Sequence, residues 1–152
     1  MKYFFILLTI LTCGKSAKSQ TAEDSVKAVI NSLFTGMKNA DPELLKKCFA
    51  DSMVLQTISR SREGKLIVVN EKPAAFIDFI SKEQPGNADE RIFFETIKID
   101  GPLAIAWTPY NFYYKGNFSH CGVNSFQLVR FNGEWKIQYL IDTRRKQGCK
   151  TD

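Results

Sequence analysis

Apolar residues at Val26, Val29, Ile30, Leu33, Phe34 and Met37 recur at i, i+3, i+4, i+7, i+8 and i+11, one unbroken stripe that predicts an amphipathic helix lying on a core. Thr21-Ala22-Glu23-Asp24 just before it has the spacing of a capping box, and Asn39-Ala40-Asp41 closes it. Asp41-Pro42 then offers an N-cap followed by a proline at the first helical position, opening a short helix that buries Leu44, Leu45, Cys48 and Phe49. Met53–Ile58 and Leu66–Val69 alternate as strands around the turn Arg62-Glu63-Gly64-Lys65. A third helix is predicted from Pro73 to about Lys82, burying Phe76, Ile77, Phe79 and Ile80 and stopped by Pro85-Gly86. Arg91–Ile99 reads as extended, with Phe93, Glu95, Ile97 and Ile99 on one side.

The last third changes period. Leu103–Tyr114, Asn117–Phe131 and Glu134–Thr143 are extended runs joined by Lys115-Gly116 and Asn132-Gly133. Asn-Gly between apolar runs is a strong hairpin signal, since both central residues of the favoured turn have positive φ. Uninterrupted two-residue turns fix a register. Phe131 then opposes Glu134, Leu128 opposes Ile137, Phe126 opposes Tyr139 and Asn124 opposes Ile141, while Ile105 opposes Phe126 and Trp107 opposes Asn124. One face collects Leu103, Ile105, Trp107, Asn124, Phe126, Leu128, Trp135, Ile137, Tyr139 and Ile141. The other holds Ala104, Ala106, Thr108, Cys121, Val123, Leu140 and Asp142. Pro109 inside a strand marks a bulge or an edge, and Asn111 is placed beside His120. Helices first and strands mostly last favour an α+β fold over a parallel βαβ sheet.

The N-terminus modifies the charge picture. Lys2, the apolar run Tyr3–Leu11 and the following small residues have the order of a secretory signal, and the run is too short to span a bilayer. Ala17-Lys18-Ser19 fits a cleavage site, giving a signal at 1–19 and one domain at 20–152 that starts at Gln20. The rival, lipidation at Cys13, is disfavoured by Thr12 immediately before it. The chain carries 21 basic and 16 acidic residues; without Lys2, Lys15 and Lys18 the basic count falls to 18 and the net charge from +5 to +2. Nucleic-acid binding thereby loses its electrostatic support, and an exported protein, periplasmic or extracellular, is expected.

Cys48, Cys121 and Cys149 remain after the signal, allowing one bridge and one spare thiol or three buried thiols. With His120 the only histidine, their spacing matches no zinc pattern, so no metal is expected. No phosphate loop, nucleophile elbow or cofactor fingerprint occurs, and no cofactor is expected.

The order of helix, short helix, two strands, third helix and long terminal meander resembles the nuclear transport factor 2-like fold, a cone of helices packed on a curved, largely antiparallel sheet. Trp107-Thr108-Pro109-Tyr110, Ser119-His120-Cys121-Gly122-Val123 and Trp135-Lys136-Ile137 followed by Asp142-Thr143-Arg144-Arg145 are similar to the lumazine-binding-like group of secreted bacterial proteins within that superfamily. SnoaL-like cyclases and ketosteroid isomerases are more distant relatives. The resemblance implies a pocket for a small apolar or heterocyclic molecule, and a fold that hosts enzymes, binding proteins and scaffolds alike.

The register places His120 at the wide end of the pocket face, where an imidazole serves as general acid or base or simply as a hydrogen-bonded wall. Trp107, Asn111, Asn124, Phe126 and Tyr139 are the expected ligand wall, and Glu95 is either a pocket carboxylate or an edge residue. Strict alternation sends Asp142 to the opposite face in a salt bridge with Arg144 and Arg145, an assignment that a β-bulge would reverse. Few ionisable groups then face inward, which favours a binding domain. The alternatives are an isomerase, dehydratase or cyclase using His120, and a structural protein whose cone is filled. Ala104, Ala106, Val123 and Leu140 make the outer face too apolar for free solvation, so a homodimer through that face is expected.

Overall fold

The computed structural model describes residues 21–150, so the expected signal segment, with the expected start at Gln20 and the rival lipidation at Cys13, lies outside the described residues. Helix α1 spans Ala22–Asn39, and its N-terminus is the expected capping box: Asp24 N–H donates to Thr21 Oγ1 at 3.0 Å and Thr21 N–H to Asp24 Oδ2 at 3.3 Å. Helix α2, Pro42–Cys48, starts from Asp41, whose Oδ1 accepts from the N–H groups of Glu43 and Leu44. Strands β1 (Phe49–Arg60) and β2 (Leu66–Glu71) form a hairpin, and helix α3 covers Pro73–Ser81. Ile80 of α3 is buried and Phe76 and Ile77 half-buried, but Phe79 is 50% exposed, contrary to expectation.

The predicted extended segment at Arg91–Ile99 is two strands, β3 (Ala88–Ile92) and β4 (Thr96–Asp100), broken at Phe93–Glu95. Both pair with β5 (Leu103–Tyr114), β4 along its first half and β3 along its second. Pro109 sits at the break; lacking an N–H, it contributes its carbonyl, which accepts from Phe93 N–H at 2.9 Å. Strands β6 (Asn117–Phe131) and β7 (Glu134–Arg145) complete a seven-stranded sheet ordered β2-β1-β7-β6-β5-β3, with β4 also on β5. All pairs are antiparallel except β1 with β7. Both hairpin turns have the positive φ their residues suggested: 51° and 77° at Lys115-Gly116, 50° and 91° at Asn132-Gly133.

The register is the main correction. Next to the turns it is as expected, with Phe131 opposite Glu134 and Leu128 opposite Ile137. One extra residue at Gln138 then shifts the pairing, so Phe126 opposes Leu140 and Asn124 opposes Asp142, not Tyr139 and Ile141. A second extra residue at Ser119 makes Phe112 oppose His120 and puts Ala106, not Ile105, opposite Phe126 and Thr108, not Trp107, opposite Asn124. Asn111 opposes Cys121 rather than His120. The whole of β5 and the second half of β7 therefore present the opposite face from the one simple alternation predicts.

The helices lie on the inner face. Val26, Ile30, Leu33, Phe34 and Met37 join Leu45, Ala104, Ala106, Phe126, Leu128, Trp135 and Ile137 in the core, with Phe34 edge-on to Phe126 at 6.2 Å between ring centres. Cys121 and Cys149 are bridged, tying the C-terminal tail to β6, and Asn111 Nδ2 on β5 also donates to the Lys150 carbonyl of that tail. Cys48 is free and buried, and burial pushes its thiol up to about 11, so it stays protonated. Among the described residues no helix is long and apolar enough to cross a membrane.

Candidate functional site

A cavity of about 370 Å³ opens between the helices and the inner sheet face. Its apolar side comes from Leu33, Phe34 and Met37 of α1 and Phe76, Phe79 and Ile80 of α3. The sheet supplies a polar wall of Thr57, Glu90, Tyr110, His120, Asn124, Asp142 and Arg144.

Asp142 is in this wall because of the Gln138 bulge, which turns β7 so that Leu140, Asp142 and Arg144 face inward. Gln138 Nε2 donates to the Ser52 carbonyl at 2.9 Å, where β1 itself departs from regular pairing with β7. Both oxygens of Asp142 are engaged. Its Oδ1 accepts from Thr57 Oγ1 at 2.5 Å, and its Oδ2 accepts from Arg144 Nε at 2.9 Å. The Tyr110 hydroxyl lies 2.9 Å from the Thr143 carbonyl and 3.1 Å from Asp142 Oδ2, so one proton serves two acceptors. Burial, then the carboxylates nearby, holds the Tyr110 phenol far above its usual value, so it is a permanent donor. The expected Asp142–Arg144 pair is present, but inside the cavity rather than outside it.

Gly122 makes this arrangement sterically feasible. A Cβ there would sit 1.7 Å from the Thr143 carbonyl oxygen and 2.7 Å from Tyr110 Cε1 and the hydroxyl oxygen. The Tyr110 ring thus occupies the space a side chain at position 122 would need.

Glu90 stands on β3 with its carboxyl inside the wall; Oε1 accepts from Asn124 Nδ2 at 2.8 Å. Burial is the main influence and pushes its carboxyl up to about 7; the Asn124 bond opposes this, Asp142 adds to it and Arg144 reduces it. His120 packs against Phe112 and Tyr110 at 5.1 and 5.7 Å between ring centres, with Nδ1 3.0 Å from Ser119 Oγ. Burial, and secondarily the charge of Arg144, lowers its pKa below the ordinary 6.5, so the imidazole is neutral at pH 7.

Of the residues singled out from sequence, His120 and Asn124 line the cavity. Phe126 is fully buried in the core. Trp107 is on the outer face, 47% exposed, and Tyr139 on the same face donates to Gln56 Oε1 at 2.6 Å. Asn111 lies beneath the C-terminal tail, and Glu95 is exposed in the break between β3 and β4. The inner face is not poor in ionisable groups as expected; Glu90, His120, Asp142 and Arg144 all reach it. Sequence reading missed Glu90, Thr57, Tyr110 and Gly122. One signal was available: Ile137-Gln138-Tyr139-Leu140-Ile141 places three apolar residues in succession after Gln138, a break in alternation that a bulge resolves.

The family model described as "Putative lumazine-binding" matches residues 21–139. No curated protein matches the chain. Solved structures similar to it include a nuclear transport factor 2-like protein of unknown function from Silicibacter pomeroyi DSS-3, 16% identical, with TM-score 0.63, covering 80% of this chain and 93% of that one. A protein of unknown function with a cystatin-like fold from Nostoc punctiforme PCC 73102 is 14% identical with TM-score 0.64, covering 86% of this chain and 97% of that one. A nuclear transport factor 2-like protein from Cytophaga hutchinsonii ATCC 33406 is 16% identical with TM-score 0.61, covering 82% and 99%. At these identities the likeness establishes the fold, helices on a curved, mostly antiparallel sheet.

Proposed function

Because the chain belongs to the family described as putative lumazine-binding, we propose that it is an exported domain that binds a small apolar or heterocyclic molecule in the cavity between its helices and its inner sheet face. The observation that carries this reading is the cavity itself: about 370 Å³, with an apolar wall from the helices facing a polar wall from the sheet. The polar wall is built more for holding than for turnover. Asp142 accepts from Thr57, Tyr110 and Arg144, so its carboxylate is held in place and orients the wall. His120 and Asn124 are the wall residues for hydrogen bonding a ligand, with His120 neutral at pH 7.

Thermal unfolding of the parent protein with a flavin- or pterin-like compound tests the proposal. A ligand at one hundred times its Kd is expected to stabilise the protein by about 2.7 kcal/mol. Asn124→Leu should weaken that ligand by ~1–3 kcal/mol, because the wall loses a hydrogen-bonding group at nearly constant volume. A parent protein that takes up no such compound would end the reading of this cavity as a heterocycle site.

The reading includes a homodimer through the outer sheet face. Ala104, Ala106 and Leu140, expected there, are buried inside; the outer face instead carries Leu103, Ile105 and Trp107, each more than 40% exposed. That is a stronger apolar patch than the one first expected. Light scattering at tens of micromolar, roughly where a modest interface holds, should show a dimer, and Trp107→Glu should give a monomer with unchanged helix and strand content. A parent monomer would end this part of the proposal.

A further inference from the structure

The wall of the cavity is uneven in its unspent hydrogen-bonding capacity. Both oxygens of Asp142 accept from donors, and Asp89, the neighbour of Glu90, is paired with Lys38 at 3.1 Å and Arg91 at 3.0 Å. Glu90 has no such company. Its Oε1 accepts from Asn124 Nδ2, while Oε2 receives no donor from the described residues and is open to the cavity. The Arg144 guanidinium does not donate to it; its Nε goes to Asp142 and its Nη2 to Thr57 at 3.1 Å. Asn124 turns its amide N–H toward Glu90, which leaves Asn124 Oδ1 as a second acceptor without a donor among the described residues. Two adjacent acceptors therefore wait on one wall. A carboxylate inside a protein is tolerated when paired and donated to, so the missing partner belongs to whatever fills the space. The aromatic rings of Phe34, Phe112 and Tyr110 also line the cavity, and a ring face attracts a cation rather than an anion.

We propose that the ligand presents a hydrogen-donating nitrogen edge, a protonated amine or an amidine-like pair of N–H groups on an apolar or aromatic body, to Oε2 of Glu90. This rests on the binding reading of the cavity and names the chemistry of its occupant. A carbonyl or carboxylate edge is selected against once Glu90 is ionised, since it then meets two acceptors. The charged groups around Glu90 do not change the sign. Tyr110 on β5 is neutral, His120 on β6 is neutral at pH 7, and on β7 Asp142 and Arg144 offset one another. On β2, Glu71 at the cavity adds negative charge, and α1 brings only Lys38, which is held by Asp89.

Binding then has a direction with pH. Glu90 must be ionised to receive a cation, and burial raises its carboxyl to about 7, so affinity for a permanently cationic ligand falls as pH drops below about 7. A ligand that accepts a proton from neutral Glu90 would show the opposite trend.

The experiment compares 2-naphthamidine, cationic throughout the range used, with its isostere 2-naphthamide by calorimetric titration at pH 8 and pH 5.5. The amidine is expected to bind about tenfold or more tightly than the amide at pH 8, as for a charge-assisted bond, and to weaken by about tenfold at pH 5.5. Glu90→Gln should abolish the preference, and Glu95→Gln, which alters an exposed carboxylate outside the cavity, should retain it. Amide binding equal to or tighter than the amidine, a preference that survives Glu90→Gln, or no binding of either compound overturns the proposal. Uptake of the neutral dye Nile red separates the two levels: dye bound without the amidine preference leaves the binding reading standing, and neither dye nor probe bound removes both.

Discussion

Gly122→Ala is expected to lower stability by about 3 kcal/mol or more, a loss reserved for forced overpacking in a core. The added methyl would sit 1.7 Å from a backbone oxygen, Thr143 O, and 2.7 Å from the Tyr110 ring and hydroxyl. A flexible side chain could swing away; a carbonyl inside the β6–β7 ladder cannot, because Gly122 and Arg144 are paired there and Cys121 is bridged to Cys149 next door. Relief would require Tyr110 to leave, giving up its bonds to Thr143 and Asp142 and opening the polar wall. Tyr110→Phe supplies the scale, since it removes only the hydroxyl bonds and should lose about 1–2 kcal/mol. Urea denaturation of both variants checks the ordering. A Gly122→Ala protein within about 1 kcal/mol of the parent would mean that the close packing of Tyr110 over β6 is not what position 122 is for.

Glu90→Gln is expected to make the protein more stable at pH 8, by about 2 kcal/mol, and to have no such effect at pH 4.5. Burial raises the folded-state carboxyl from 4.5 to about 7. Between these values the unfolded chain has released its proton while the folded chain still holds it, so the parent loses stability as pH rises through this window and keeps the full penalty above it. Each tenfold difference in proton affinity between the folded and unfolded chain is worth about 1.4 kcal/mol, and the penalty is softened here because Oε2 opens on the cavity. Glutamine has no charge to desolvate, and its amide oxygen still accepts from Asn124. Calorimetric melting of both proteins across this range would show the curves diverging as pH rises; a variant less stable than the parent at pH 8 contradicts the account. With the amidine preference expected above, the outcome would mark Glu90 as a group kept for binding at the expense of stability.

Whatever depends on close neighbours along the chain is legible in the sequence. The capping box at Thr21, the Asp41-Pro42 start of α2, the two positive-φ turns and the apolar stripe of α1 depend on residues within four positions of one another. The inward face of β6 and of Trp135 and Ile137 in β7 also follows from alternation outward from Asn132-Gly133. The family resemblance, carried by short motifs, likewise stood on sequence.

The contents of the cavity were decided at longer range. Leu103, Ile105 and Trp107 on one side of β5 and Ala104, Ala106 and Thr108 on the other are both credible inner faces, and by size alone the larger side chains are the better choice for a core. The structure selects the small set because the inside is already occupied by Phe126, Leu128 and the apolar residues of α1, leaving the bulky set outside. That selection is made by single extra residues at Ser119 and Gln138, each of which inverts every side chain beyond it. Gln138 is anchored by Ser52, 86 positions away, and Glu90 reaches Asn124 across 34. Periodicity records what neighbours along the chain prefer. Register is set by what packs against the strand, and two inserted residues exchange Trp107 and Tyr139 for Tyr110 and Asp142 in the cavity wall.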